Sequence, residues 1–257
     1  MTVPLVINVA HMRRSGGHAC LEWIFRSILK STPGVCMAFH QGNYVRWKTL
    51  KPARRIWGGA GQCEVSVMSY EDYAIEDLLA TFQQNKIEAD FRINILVIRD
   101  IYNMVASRCR LDEKRRTQTR GGLMPYALER WREHAEEAIR CQDSDCAEDE
   151  HMHCVIRYPD IFDRPAHTEA VCRLLYWQDG GYDSSPVYGS GGSSFTGMRE
   201  PIVVSDIRNR FRQCDSCEVR ALWEGEYSKE YARLNQSVFG WHINQQGRLT
   251  ESLELEE

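Results

Sequence analysis

An α/β fold with a central parallel β-sheet flanked by helices is what this sequence predicts, and three observations predict it. An apolar run from Leu5 to Val9 passes through a turn rich in Arg and Gly into an amphipathic segment that begins near His18. A second uninterrupted apolar run, Asn94 to Arg99, leads into another helical segment near Ile101. Shorter apolar runs alternate with helix-like periodicities along the rest of the chain, the order in which each strand returns through a helix to lie parallel to another. Runs that are apolar at every position mark strands covered on both faces.

With 257 residues the chain can bury one full core, and residues 1–243 are expected to form a single domain followed by a disordered acidic tail, 244–257, ending in LELEE. The net charge of −4 argues against general binding of nucleic acid. No apolar run reaches the roughly 20 residues that span a bilayer, and the first apolar run is too short for a signal peptide, so a cytoplasmic enzyme with no membrane partner is expected. Of the ten cysteines, Cys20, Cys36, Cys63, Cys154 and Cys172 lie inside apolar patterns and read as buried, reduced thiols.

The first helix has Cys20, Trp23, Ile24 and Ile28 on one face and ends at Pro33-Gly34. Val35 to Phe39 reads as a second strand, with His40 and Gln41 at its carboxyl end. Residues 42 to 62 lack a period and carry Arg46, Lys48, Lys51, Arg54 and Arg55 among Tyr44, Trp47 and Trp57. That segment is either an insertion that attracts an anionic acceptor or a solvated loop. Cys63 to Tyr70 alternates as a strand, Glu71 and Asp72 lie just past its end, and Tyr73 to Gln84 forms a helix that one of the two acids could cap.

Arg99 ends the strand beginning at Asn94, and Ser107 follows eight residues later, two turns into the next helix, so that guanidinium and hydroxyl can converge on one phosphate. Asp100 reads as an N-cap, and Asn103 and Arg108 as surface residues unless they belong to a motif. Leu111 to Leu123 reads as a basic loop carrying Lys114, Arg115, Arg116 and Arg120, either a lid or solvated. Pro125 to Arg140 is a helix with Leu128, Trp131, Ala135 and Ile139 as its buried stripe, and an acidic connection follows from Cys141 to Glu150. Met152 to Tyr158 is a strand, Arg164 to Tyr176 a helix, and Asp179 to Gly197 a Gly/Ser-rich stretch. Helices over Ser205 to Arg212 and Glu218 to Gln236 close the domain.

The turn from Arg13 to Gly17 is built to hold phosphate. Gly16 and Gly17 let the backbone approach an anion, the helix N-terminus at His18 and Ala19 presents unpaired N–H groups, and Arg13, Arg14, Ser15 and His18 add donors. The ATP-type loop GxxxxGK[ST] requires a Lys and a metal-holding hydroxyl that this turn lacks, which disfavours a small-molecule kinase. Arg14-Ser15-Gly16-Gly17-His18-Ala19 with Trp23-Ile24 resembles the RSGxHAxxxWI form of the 5′-phosphosulfate loop in sulfotransferases that use 3′-phosphoadenosine 5′-phosphosulfate. Arg99 to Arg108 is similar to their RDxxNxxASR segment, which clamps the 3′-phosphate, and Gly191 to Gly197 is similar to their GSSF-type element.

The resemblance implies a P-loop-like sheet, that donor as co-substrate, no metal, and a small-molecule acceptor, a metabolite or natural product, with a hydroxyl or amine. It implies Arg14 at the leaving phosphate, helped by Ser15 and His18, Arg99 and Ser107 on the 3′-phosphate with Ser193 and Ser194, and Tyr158 near the adenine; Pro159 stands where the family has Glu. Glu71 is the favoured general base, with His40 and Asp72 as alternatives. The rival class is a non-catalytic nucleotide- or zinc-binding protein, with Cys141, Cys146, His151, His153, Cys154 and the Cys214/Cys217 pair as candidate ligands.

Overall fold

The computed structural model describes residues 3–31, 35–43, 55–57, 64–84, 89–115, 123–143, 154–158 and 209–251. The expected helix 164–176, the Gly/Ser-rich stretch with Ser193 and Ser194, Arg116, Arg120 and most of the basic segment 42–62 lie outside these residues.

The parallel sheet is present. Strands β1 (Val3–His11), β2 (Met37–Asn43), β3 (Arg55–Trp57), β4 (Val65–Glu71), β5 (Ala89–Ile98) and β6 (Cys154–Arg157) are ordered β3-β2-β4-β1-β5-β6. Five are mutually parallel, and the short β3 is an antiparallel edge strand. The chain leaves β1 toward β2 on one side and later passes from β4 to β5 on the other. The crevice where connections diverge therefore opens beyond the carboxyl end of β1, where ligands of open α/β sheets bind.

Each face of the sheet carries its own core, which is why β1 and β5 read as continuous apolar runs. On one face, α1 (Gly17–Ser31) lays Ala19, Cys20, Trp23, Ile24 and Ile28 against Ile7, Val9, Val67, Ile95 and Val97. The expected stripe residues of α1, Cys20, Trp23, Ile24 and Ile28, are all buried. The opposite face packs Ala10, Met68, Tyr70, Leu96 and Ile98 against α2 (Ile75–Gln84), α3 (Ile101–Arg115), α4 (Leu123–Asp143) and a C-terminal unit. That unit comprises a 3-10 helix (Arg210–Gln213), α5 (Cys217–Glu224), α6 (Ser228–Phe239) and a hairpin of β7 (His242–Ile243) with β8 (Leu249–Thr250). Among the described residues, no helix is long and apolar enough to cross a membrane.

Several expectations are corrected. Helix α3 runs on through Arg115, because Leu111, Glu113, Lys114 and Arg115 are helix formers, so the first part of the expected loop is helical. Helix α4 likewise extends through Cys141 to Asp143, into the expected acidic connection. The single helix over Glu218 to Gln236 is two helices. Gly225 caps α5 in an extended conformation, its N–H donating to Ala221 O, and a Cβ there would lie 2.5 Å from that oxygen. The expected helix Ser205 to Arg212 is, where described, a short 3-10 helix. Residues 244–251, expected to begin a disordered tail, are ordered: Asn244 Oδ1 accepts from the N–H groups of Gln246 and Arg248, and Gly247 takes a positive φ of 72° to close the hairpin.

The C-terminal unit docks on α3 through polar anchors at its buried face. The Tyr102 hydroxyl accepts from Ile243 N–H at 3.1 Å, and its ring stacks on Trp241. Asn235 Oδ1 accepts from Ile101 N–H, and Asn235 Nδ2 donates to Trp241 O. Each bond satisfies a group that burial would otherwise strand.

His134 on α4 is fully buried, with Nε2 bonded to Tyr73 O at 2.9 Å and Nδ1 without a partner among the described residues. Burial lowers its pKa from 6.5 to about 4. The unfolded chain therefore binds a proton through that window while the native state does not, and stability falls as pH drops from 6.5 toward 4. Comparing urea unfolding near pH 7 and near pH 4, a His134→Gln variant should lose less stability than the parent, by about 3 kcal/mol. Equal losses would contradict the assignment.

Candidate functional site

The turn after β1 is wound tightly. Ser15 N–H and Oγ both donate to Met12 O, at 3.1 and 2.7 Å, and Arg14 and Gly16 take positive φ of 73° and 93°. The first bond of α1 runs from Cys20 N–H to Gly16 O, so the N–H groups of Gly17, His18 and Ala19 form its open first turn. Two glycines are required by contact. A Cβ on Gly16 would lie 1.9 Å from the Tyr158 ring, and one on Gly17 would lie 2.3 Å from the His11 ring.

Around this turn the structure gathers Arg14, Arg99 and Ser107. Arg14 Nε donates to Ser107 Oγ at 3.0 Å, and Arg99 Nη1 donates to Arg14 O at 3.2 Å. Arg99 is 5% exposed, sits 5.2 Å over the Tyr158 ring, and has Nε and Nη2 without hydrogen-bond partners among the described residues. Its carbonyl accepts from Trp131 Nε1 at 2.8 Å, which fixes the backbone at the end of β5. Burial lowers the Arg99 pKa; Asp100 and Tyr158 oppose that shift, and Arg210 adds to it. Asp100 caps α3 as expected, its Oδ1 accepting from Asn103 N–H and Nδ2, both at 2.9 Å. Burial raises the Asp100 pKa against the pull of Arg99, and Oδ2 has no partner among the described residues.

Asn103 and Arg108 are buried, not on the surface. Arg108 Nε donates to Arg13 O, and its Nη2 reaches Asp72 Oδ1 at 2.6 Å. The same Asp72 oxygen accepts from Arg13 N–H at 2.9 Å. Asp72 therefore does not cap α2. It ties the ends of β1 and β4 to α3, and its own φ of 62° aims it there.

The sequence reading missed two groups. His11, the last residue of β1, is buried beneath Gly17, with Nε2 2.8 Å from Ser69 Oγ and its ring 5.9 Å from that of His18. Burial lowers its pKa while the neighbouring Glu71 opposes the shift. Alternation from Ile7 and Val9 would have placed His11 on the face of α1. Arg210 is 4% exposed, with Nε unpartnered among the described residues, and Phe211 N–H donates to Asn103 Oδ1 to seat its helix. No local sequence signal marks Arg210, because its place depends on how the C-terminal unit docks.

Of the candidate bases, Glu71 ends β4 in register with His11 and is half-buried. His40 lies inside β2 rather than at its end, in register with Met68, and so on the opposite face from His11 and Glu71. Tyr158 is buried between Gly16 and Arg99. Among the described residues, no group of three His, Cys, Asp or Glu side chains could hold a metal ion.

No protein-family model matches the chain, and no curated protein matches it. Among solved structures, the chain is similar to a sulfotransferase domain from the Synechococcus PCC 7002 olefin synthase, with a TM-score of 0.47 and 12% identity over 92% of this chain and 95% of that one.

Proposed function

We propose that the chain transfers the sulfuryl group of 3′-phosphoadenosine 5′-phosphosulfate to a hydroxyl, or an amine, of a small-molecule acceptor. The observation that carries this reading is the buried Arg99 guanidinium, with two nitrogens unpartnered among the described residues, beside Arg14, Ser107 and the glycine turn. A buried cation with unmade hydrogen bonds is costly, and a phosphate offsets that cost with charge-assisted bonds.

In this reading the first turn of α1 and Arg14 hold the 5′-phosphosulfate, and Arg99, Ser107 and Arg210 face the 3′-phosphate. The acceptor atom attacks sulfur in line, the bond from sulfur to the 5′-phosphate oxygen breaks, and 3′-phosphoadenosine 5′-phosphate leaves with the electron pair. Arg14, which stays cationic, offsets the charge on the leaving oxygen. The acceptor proton passes to Glu71. Its position on the α1 face supports this choice, since Asp72 is committed to Arg13 and Arg108 and His40 lies on the other face.

Arg99→Ala should weaken binding of 3′-phosphoadenosine 5′-phosphate, measured by calorimetry, by ~2 kcal/mol or more; unchanged affinity would contradict the clamp. Glu71→Gln should lower turnover about a hundredfold or more while nucleotide affinity is kept. Near-parental turnover would remove Glu71 from the role.

A further inference from the structure

His11 stands where the glycine turn meets the strand that carries Glu71. It ends β1, it is buried, and a Cβ on Gly17 would lie 2.3 Å from its ring. The imidazole therefore packs against the backbone of the open first turn of α1. Both of its nitrogens face oxygen: Nδ1 lies 3.4 Å from Met12 O, and Nε2 lies 2.8 Å from Ser69 Oγ. Ser69 and Glu71 share one face of β4, and Glu71 is in register with His11. A carbonyl only accepts, so Nδ1 carries a hydrogen; the fully buried Ser69 hydroxyl can donate to a neutral ring and turn to accept from a charged one. The surroundings thus hold either protonation state without stranding a ring nitrogen.

We propose that His11 is a further binding residue of the anion site, taking up a proton from solvent as a phosphate group occupies the first turn of α1. In the sulfotransferase reading, on which this rests, that group belongs to the 5′-phosphosulfate or to the 5′-phosphate of the product. Burial disfavours the charged ring in the free protein, and Glu71, Asp72 and the Met12 carbonyl oppose that effect. The other titratable groups facing the ring are His18 from α1 and His134 from α4, and both disfavour its charge. A phosphate on the N–H groups above Gly17 adds negative charge beside the ring and tips the balance toward the cation. Ser69 then accepts from Nε2–H, and the imidazolium offsets part of the ligand's charge. Because proton and ligand bind together, affinity rises as pH falls through the pKa of the occupied site and levels off below the lower pKa of the free one.

The test is calorimetry of 3′-phosphoadenosine 5′-phosphate binding to the full chain near pH 7, in buffers of different ionisation enthalpy, which counts the protons taken up. The nucleotide's own phosphates contribute to parent and variant alike, so the difference between them reports on the protein. His11→Gln should take up fewer protons than the parent, by about half a proton, and its affinity should change less between about pH 8 and about pH 6. Ser69→Ala keeps the imidazole but removes the acceptor for its Nε2–H, and should shift both readouts in the same direction. Parental uptake in both variants would overturn the proposal while leaving the nucleotide site in place. Uptake lost in His18→Gln but kept in His11→Gln would do the same. A parental chain that does not bind the nucleotide would overturn the site and this proposal together.

Discussion

Burial of guanidinium groups at the carboxyl ends of the strands is the constraint on which the remaining structure depends. Arg99, Arg108 and Arg210 are each nine-tenths or more covered, and Arg13 and Arg14 flank them. Desolvating a cation costs several kcal/mol unless an opposite charge or a set of acceptors replaces water. Arg108 is compensated by Asp72 and by the Arg13 carbonyl. That ion pair holds the turn after β1 in place, because the same carboxylate oxygen also accepts the Arg13 N–H. Among the described residues Arg99 and Arg210 retain unmade hydrogen bonds, and Asp100, beside Arg99, is engaged by Asn103. In the proposed reading an anion offsets this imbalance. The protein stabilises the arrangement elsewhere, through Trp131 on the Arg99 carbonyl and the aromatic stack around Tyr102.

Much of the scaffold was legible in the sequence because its signals are local. The continuous apolar runs announced buried parallel strands, and the stripe of Cys20, Trp23, Ile24 and Ile28 announced the covering face of α1. Arg99 and Ser107, eight positions apart, converge on Arg14 as two helical turns require. What escaped the sequence depends on tertiary contacts. Asp72 reads as a helix cap until its positive φ turns it toward Arg108. Asn103 and Arg108 read as surface residues until the C-terminal unit and the turn cover them. His40 reads as a strand end because nothing local shows that β2 continues to Asn43. The hairpin after Asn244 was hidden by its polar composition, yet Asn244 and Gly247 are the residues such a turn needs.

In the proposed reading Arg210 gives the C-terminal unit a part in ligand binding as well as in closing the core. Asn103 links the two roles, since it bonds Asp100 on one side and seats the 3-10 helix through Phe211 N–H on the other. An anion between Arg99 and Arg210 would relieve a repulsion that the fold otherwise bears, and so would tighten the docking of this unit.

Thermal unfolding of the full chain with 3′-phosphoadenosine 5′-phosphate, beside adenosine 5′-phosphate and magnesium-ATP, tests this account most directly. A ligand bound only by the folded state adds about 2.7 kcal/mol at a hundred times its dissociation constant. Stabilisation by the 3′-phosphorylated nucleotide, with little from the other two, is the predicted result. Stabilisation by magnesium-ATP alone, or by none of the three, would contradict it.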